Sequence, residues 1–252
     1  MRTVRYGDHP DQVMDVWTSS DSADLPAAVL IHGGYWRQAY DRGYLTPFAE
    51  HLAARAMTVV SVEYRRVRGA GGWPATFDDI ANAVDILPDL VEGREIVLVG
   101  HSAGGQLALW AAGRHRLPET SRWHRTTAGP ASRVVAVAPV GDLRRAHELG
   151  LSSHAVAELV GGHQWVRPRL PEMDPMALLP LDVSVTVLHG DADTDVPLEL
   201  ATRFAAAAGK DATLVVLPGV DHFQPLQPAH EASAHTVRAI LTADHHSDTV
   251  VE

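Results

Sequence analysis

Gly100-His101-Ser102-Ala103-Gly104 sets a serine between two glycines at the spacing Gly-x-Ser-x-Gly. The chemistry this permits is acyl transfer by an activated hydroxyl, provided the chain also supplies a base, an acid and a site for negative charge. A serine on a sharp strand-to-helix turn has a strained backbone, and the residues two before and two after it crowd together. Gly100 and Gly104 bring no side chains to that crowding. The same turn aims the N–H of Ala103 to where an oxyanion would form. The competing reading, a phosphate-binding Gly-rich loop, lacks both G-x-G-x-x-G and G-x-x-x-x-G-K-[ST].

The base must be chosen by context, because there are 15 histidines. His222, in "LPGVDHF", follows the last apolar run, where a loop leaves the C-terminal edge of a sheet. His101, His115, His124, His163 and His230 fall in helices, the turn or an insertion and read mostly as surface residues. His189 ends a strand and is the main rival, expected to point into a packed turn. The acid should follow an earlier strand, and "LHGDADTDVP" offers Asp191, Asp193 and Asp195, which local physics does not separate. "LIHGGYWR" supplies the charge site: backbone N–H groups of Gly34 and Tyr35, with Ala103 and less firmly Gly33, form an expected oxyanion hole. His32 is expected to brace that loop, and Tyr35 and Trp36 to wall the substrate pocket.

These turns need a sheet to hold them. "PAAVLIH", "AMTVVSVEY", "REIVLVG", "SRVVAVAP", "VSVTVLHG" and "DATLVVLPG" are nearly continuous apolar runs, as in parallel strands covered on both faces, whereas "QVMDVW" alternates like a half-exposed edge strand. Between them helices are expected over roughly 44–56, 74–91, 104–114, 198–208 and 228–243. The alternation implies an α/β, doubly wound, mostly parallel sheet in one domain over 1–252, with a small helical cap insertion at about 141–181. The tail from Asp244 is expected to fray.

The 252 residues include 21 basic and 31 acidic side chains, so the formal charge of −10 disfavours nucleic-acid and anionic-membrane partners. Arginines outnumber lysines twenty to one, Lys210 being the sole lysine. There is no cysteine, which excludes disulfides, thiolate nucleophiles and thiolate metal ligands. Neither a signal-like start nor an apolar run of membrane-spanning length is evident, so a cytoplasmic location is expected.

Taken together, "YGDHPDQVMDVW", "HGGYWR", "VEYRR" with "WPATFDDI", "GHSAGGQLA", "HGDADTDVP" and "DHF" resemble the α/β-hydrolases, specifically the esterase branch carrying His-Gly-Gly-x-Trp, and within it the kynurenine formamidases (arylformamidases). The resemblance runs from Tyr6 to Phe223 and implies an α/β-hydrolase fold, a serine-hydrolase mechanism and no cofactor. Its His-Gly-x-x-Asp spacing selects Asp193 as the acid. It implies small esters or activated amides, N-formyl aryl amides included, as substrates, and substrate preference residing in the insertion.

Rival readings are a non-catalytic binding protein on the same fold, a small-peptide peptidase and a metal-dependent hydrolase. The first would typically lack a triad or oxyanion member, yet all are present. "HEASAH" spaces its histidines by five residues, so on a helix the rings diverge by roughly 140°. No metal site is expected. Activity should decline on acidification, since a protonated imidazole cannot act as base.

Overall fold

The computed structural model describes residues 1–18 and 24–242. Eight strands form one sheet: β1 (Arg2–Arg5), β2 (Val13–Trp17), β3 (Ala27–Ile31), β4 (Val59–Val62), β5 (Ile96–His101), β6 (Ala131–Val137), β7 (Ser184–Gly190) and β8 (Ala212–Leu217), in spatial order β1-β2-β4-β3-β5-β6-β7-β8. From β4 across to β8 every pairing is parallel; β2 pairs antiparallel with both β1 and β4. The helices are α1 (Thr46–Ala53), α2 (Ala75–Asp85), α3 (Leu87–Leu90), α4 (Ala103–Ala112), α5 (Leu143–Glu148), α6 (Leu151–Leu159), α7 (His163–Met173), α8 (Leu198–Ala208) and α9 (Ser233–Leu241).

Alternation along each strand divides the core between the two faces. In β3, Val29 and Ile31 join Phe77 and Ile80 of α2 and Leu107 of α4, while Ala28 and Leu30 join Phe48 of α1 and Ile240 of α9. Both faces of the sheet are therefore dry at its centre, where β3, β4 and β5 are buried throughout.

Several expectations need correction. "QVMDVW" is not an edge: the short, charged "RTVR" pairs with it as β1 and takes that position. The opposite edge is β8, whose apolar run is only partly covered, Val216 remaining 40% exposed. The helix expected over 74–91 breaks between α2 and α3 beside Pro88, which lacks the N–H needed to continue the ladder. The last helix begins at Ser233 rather than near 228, and the end expected at 243 lies outside the described residues, as does the tail from Asp244. Between β6 and β7, residues 141–181 carry α5, α6 and α7. Among the described residues, no helix is long and apolar enough to cross a membrane.

Candidate active site

Ser102 occupies the turn from β5 into α4 with φ 57° and ψ −118°, in the positive-φ region that side chains rarely adopt. Its N–H is held by Val137 O at 2.8 Å. The two glycines are enforced by backbone contacts. A Cβ at Gly100 would lie 2.2 Å from Gly104 O, and one at Gly104 would lie 2.1 Å from Ile31 O. The strained turn therefore sits wedged between β3 and the first turn of α4.

The turns after β7 and β8 are stitched together by Asp191 N–H to Leu217 O at 3.1 Å and Ala192 N–H to Val220 O at 3.2 Å. Their side chains meet there. His222 Nδ1 bonds Asp193 Oδ2 at 2.6 Å, and Asp193 Oδ1 accepts the N–H groups of Asp195 and Val196 at 2.8 Å each. Burial pushes the Asp193 carboxyl upward, but hydrogen bonds from His189 and His222 outweigh it and hold the group well below the usual carboxylate range. A carboxylate facing Nδ1 makes that nitrogen the protonated one and leaves the Nε2 lone pair for proton transfer. Asp191 instead caps Gly219 N–H at 2.6 Å, and the exposed Asp195 offers only its carbonyl, to the Tyr35 hydroxyl. His189 is fully buried and bonds Val196 O at 2.9 Å, with Nε2 3.3 Å from Asp193 Oδ2. It braces the Asp193 carboxylate.

His222 and Ser102 line one pocket of about 380 Å³, without a direct hydrogen bond between them. Tyr35, Tyr40, Tyr44, Phe223 and Leu226 supply most of its apolar wall, and His101, Asp195, Gly34 and Gln227 also line it. No residue of 141–181 lines this pocket, contrary to the expectation that the insertion would shape it. A larger, more open hollow of about 610 Å³ lies between α1 and α9, away from Ser102.

The loop after β3 departs from expectation at two positions. Gly34, Tyr35 and Trp36 have φ of 91°, 52° and 60°, a left-handed run. The N–H groups of Gly34, Tyr35 and Ala103 donate to no protein acceptor among the described residues. The N–H of Gly33, however, is taken by the Tyr44 hydroxyl at 2.7 Å, so it is not a free oxyanion donor. Gly33 matters by contact: a Cβ there would lie 2.8 Å from Ser102 Cβ. Trp36 is fully buried, its Nε1 donating to Gln106 Oε1 at 3.1 Å, and it cannot touch substrate. Tyr35 does line the pocket, and its hydroxyl bonds Asp195 O at 2.6 Å, tying this loop to the acid turn. His32 braces the loop from beneath, bonding Gly33 O at 2.9 Å and Glu63 at 2.8 Å and stacking on Tyr64.

His101, one of five histidines read mostly as surface residues, is buried and joins the two halves of the site. One ring nitrogen meets the Tyr44 hydroxyl at 2.8 Å and the other meets His222 O at 2.9 Å. Since the carbonyl can only accept, Nε2 carries the proton and Nδ1 accepts from Tyr44, whose oxygen in turn accepts Gly33 N–H. Burial, and then the neighbouring His222, push His101 down to about 3, so it stays neutral. Tyr44 and His101 lie 57 positions apart, and nothing local in the sequence pairs them. Phe223 had a signal, standing next to His222 in "DHF".

Residues 14–207 match the model of the BD-FAE family. The chain belongs to the BD-FAE family. Among curated proteins, this BD-FAE member is 28% identical to esterase LipC of Mycobacterium tuberculosis over 271 residues, covering 98% of this chain and 66% of that protein. It is 30% identical to a kynurenine formamidase of Meyerozyma guilliermondii over 110 residues, covering 43% of this chain and 41% of that protein. The chain thus spans less than two thirds of the length of these relatives. Among solved structures, esterase B of Lactobacillus rhamnosis superposes with a TM-score of 0.78 at 20% identity, covering 95% of this chain and 84% of that one. A thermophilic esterase of Thermogutta terrifontis superposes at 0.68 and 22% identity, covering 97% and 96%. The fold is that of the α/β-hydrolases, as the sequence resemblance implied.

Proposed function

We propose that this BD-FAE family member is a serine hydrolase that cleaves small carboxylic esters or N-formyl aryl amides through an acyl-enzyme, with Ser102, His222 and Asp193 as its triad. The observation that carries this reading is the 2.6 Å His222–Asp193 bond beside a pocket that Ser102 also lines. Ser102 Oγ attacks the carbonyl carbon while His222 Nε2 takes its proton, and Asp193 steadies the resulting imidazolium. The oxygen that becomes negative is met by the N–H groups of Ala103, Gly34 and Tyr35. Collapse expels the alcohol or amine, which receives the proton from His222. Water then repeats the sequence on the acyl-serine, releasing the acid and restoring the hydroxyl.

A volume of about 380 Å³ lies at the small end for ligand pockets, and its aromatic wall suits a compact, partly apolar substrate. The whole chain serves here as one domain, with 141–181 as a cap standing back from the pocket. A side-by-side assay of N-formylkynurenine and short p-nitrophenyl esters, with Ser102→Ala as control, tests the proposal. Turnover of either class that vanishes in the variant supports it, and the larger kcat/KM assigns the leaving group. Turnover undiminished in Ser102→Ala overturns it.

A further inference from the structure

His147 of α5, His154 of α6 and His163 of α7 converge where those three helices meet. One ring nitrogen from each lies within 4.8 Å of the others, and the ring centroids are 6.4, 5.2 and 4.8 Å apart. His154 and His163 are exposed, while His147 is half-buried with its Nδ1 sealed from solvent and without a hydrogen-bond partner. No ring nitrogen of the three makes a hydrogen bond among the described residues. Buried polar atoms are ordinarily satisfied, so the orphaned Nδ1 asks for a partner that the protein does not supply.

The backbone is bent to build this cluster. Ser152, Ser153 and His154 have φ of 47°, 54° and 63°, a left-handed turn inside α6 that L side chains adopt at a cost. That turn brings His154 back over Gly150, where a Cβ would stand 3.1 Å from the imidazole. It is anchored by Arg37, which donates to Ser152 Oγ at 2.9 Å and Ser152 O at 2.7 Å.

We propose that His147, His154 and His163 form a site for a divalent transition-metal ion of the kind imidazole prefers, Zn²⁺ first among them. Tetrahedral zinc with nitrogens at ~2.1 Å needs ligand atoms ~3.4 Å apart, so modest rotations of the two exposed rings close the cluster. Water fills the fourth position. The ion ties α5, α6 and α7 together and holds the left-handed turn. The site is separate from Ser102 and stands whether or not the hydrolase reading does. Spacings of seven and nine residues concealed it, because neither is a recognised ligand interval.

The test is titration of the full-length, tag-free chain with Zn²⁺ by calorimetry. One equivalent should bind. His154→Asn, which tolerates the left-handed backbone, and His163→Gln should each weaken binding by ~100-fold or more, beyond what losing an outer-shell partner costs. Replacing both histidines of the tail, His245→Gln with His246→Gln, should leave binding intact. The unaltered chain gives a readout independent of variant folding: Zn²⁺ should protect His154 and His163, but not His235, from diethyl pyrocarbonate as mapped by peptide mass. Absence of binding, binding equal in the cluster variants, binding lost with the tail pair, or failure to protect the two rings overturns the proposal.

Discussion

Asp193→Asn separates the triad reading from a merely structural turn. The amide keeps Oδ1, which accepts Asp195 N–H and Val196 N–H, so the turn retains both bonds. The change falls on the other atom. Where Oδ2 met His222 Nδ1 at 2.6 Å and lay 3.3 Å from His189 Nε2, an NH₂ group would face two donors. To recover a bond, His222 must place its lone pair on Nδ1 and its proton on Nε2, the tautomer that cannot accept from Ser102. Triad enzymes lose ~10⁴-fold in kcat from this substitution, a barrier increase of ~5.4 kcal/mol at 1.36 kcal/mol per tenfold. The assay is kcat on p-nitrophenyl acetate, with thermal melts confirming the fold and Asp191→Asn and Asp195→Asn as comparators. Asp191→Asn keeps an oxygen for Gly219 N–H, and Asp195, though it lines the pocket, makes its bonds to Tyr35 and Asp193 through its backbone carbonyl and N–H, so both should stay within about tenfold of the parent, a barrier change of ~1.4 kcal/mol. If Asp193→Asn costs less than tenfold, or either comparator costs more than it, the assignment of the acid is wrong.

Gly104→Ala forces a Cβ to within 2.1 Å of Ile31 O and 2.4 Å of His32 O, so the variant should lose at least ~3 kcal/mol of stability or fail to fold, read by chemical denaturation; a melt like the parent's would contradict the wedge described for the elbow. Tyr44→Phe strips the acceptor from Gly33 N–H and the donor from His101 Nδ1, each worth ~1–3 kcal/mol when left unpaired, and should lower both melting temperature and kcat/KM; an unchanged variant would show the chain to be incidental. His101 makes acid stability its own signature. An unfolded histidine titrates near ~6.5, whereas folded His101 titrates at about 3, so in between the unfolded chain holds a proton that the native one lacks. This contribution is fully present above ~6.5 and shrinks by up to ~1.4 kcal/mol per pH unit as pH falls toward the folded value. The melting-temperature gap between the parent and His101→Gln should therefore narrow from pH 7.5 to pH 5, and a constant gap would refute it.

The parts of the site that could be read from sequence are those whose chemistry is local. Gly100 and Gly104 flank Ser102 because one tight turn forces them there, and His222 announces itself by following the last strand run. The choice among Asp191, Asp193 and Asp195 was not local. It depends on Asp193 Oδ1 folding back onto its own turn so that Oδ2 points at His222, which spacing alone does not reveal. Trp36 and Gly33 were misread for a related reason. Both stand in the expected loop, but Gln106 and Tyr44, from other elements, claim their donors. Short polar strands carry little periodic signal, so the four residues of β1 went unseen and β2 was mistaken for the edge. The histidines at 147, 154 and 163 come together only through a left-handed turn that no residue preference would suggest at Ser152 and Ser153.

The central claim is that the hydroxyl at 102 is the activated nucleophile. Its most direct measurement is reaction of the native chain with a fluorophosphonate, followed by intact-mass and peptide analysis. One adduct per chain, on the peptide carrying Ser102 and lost in His222→Ala, is the predicted result. An unmodified chain, or an adduct on a different serine, would contradict it.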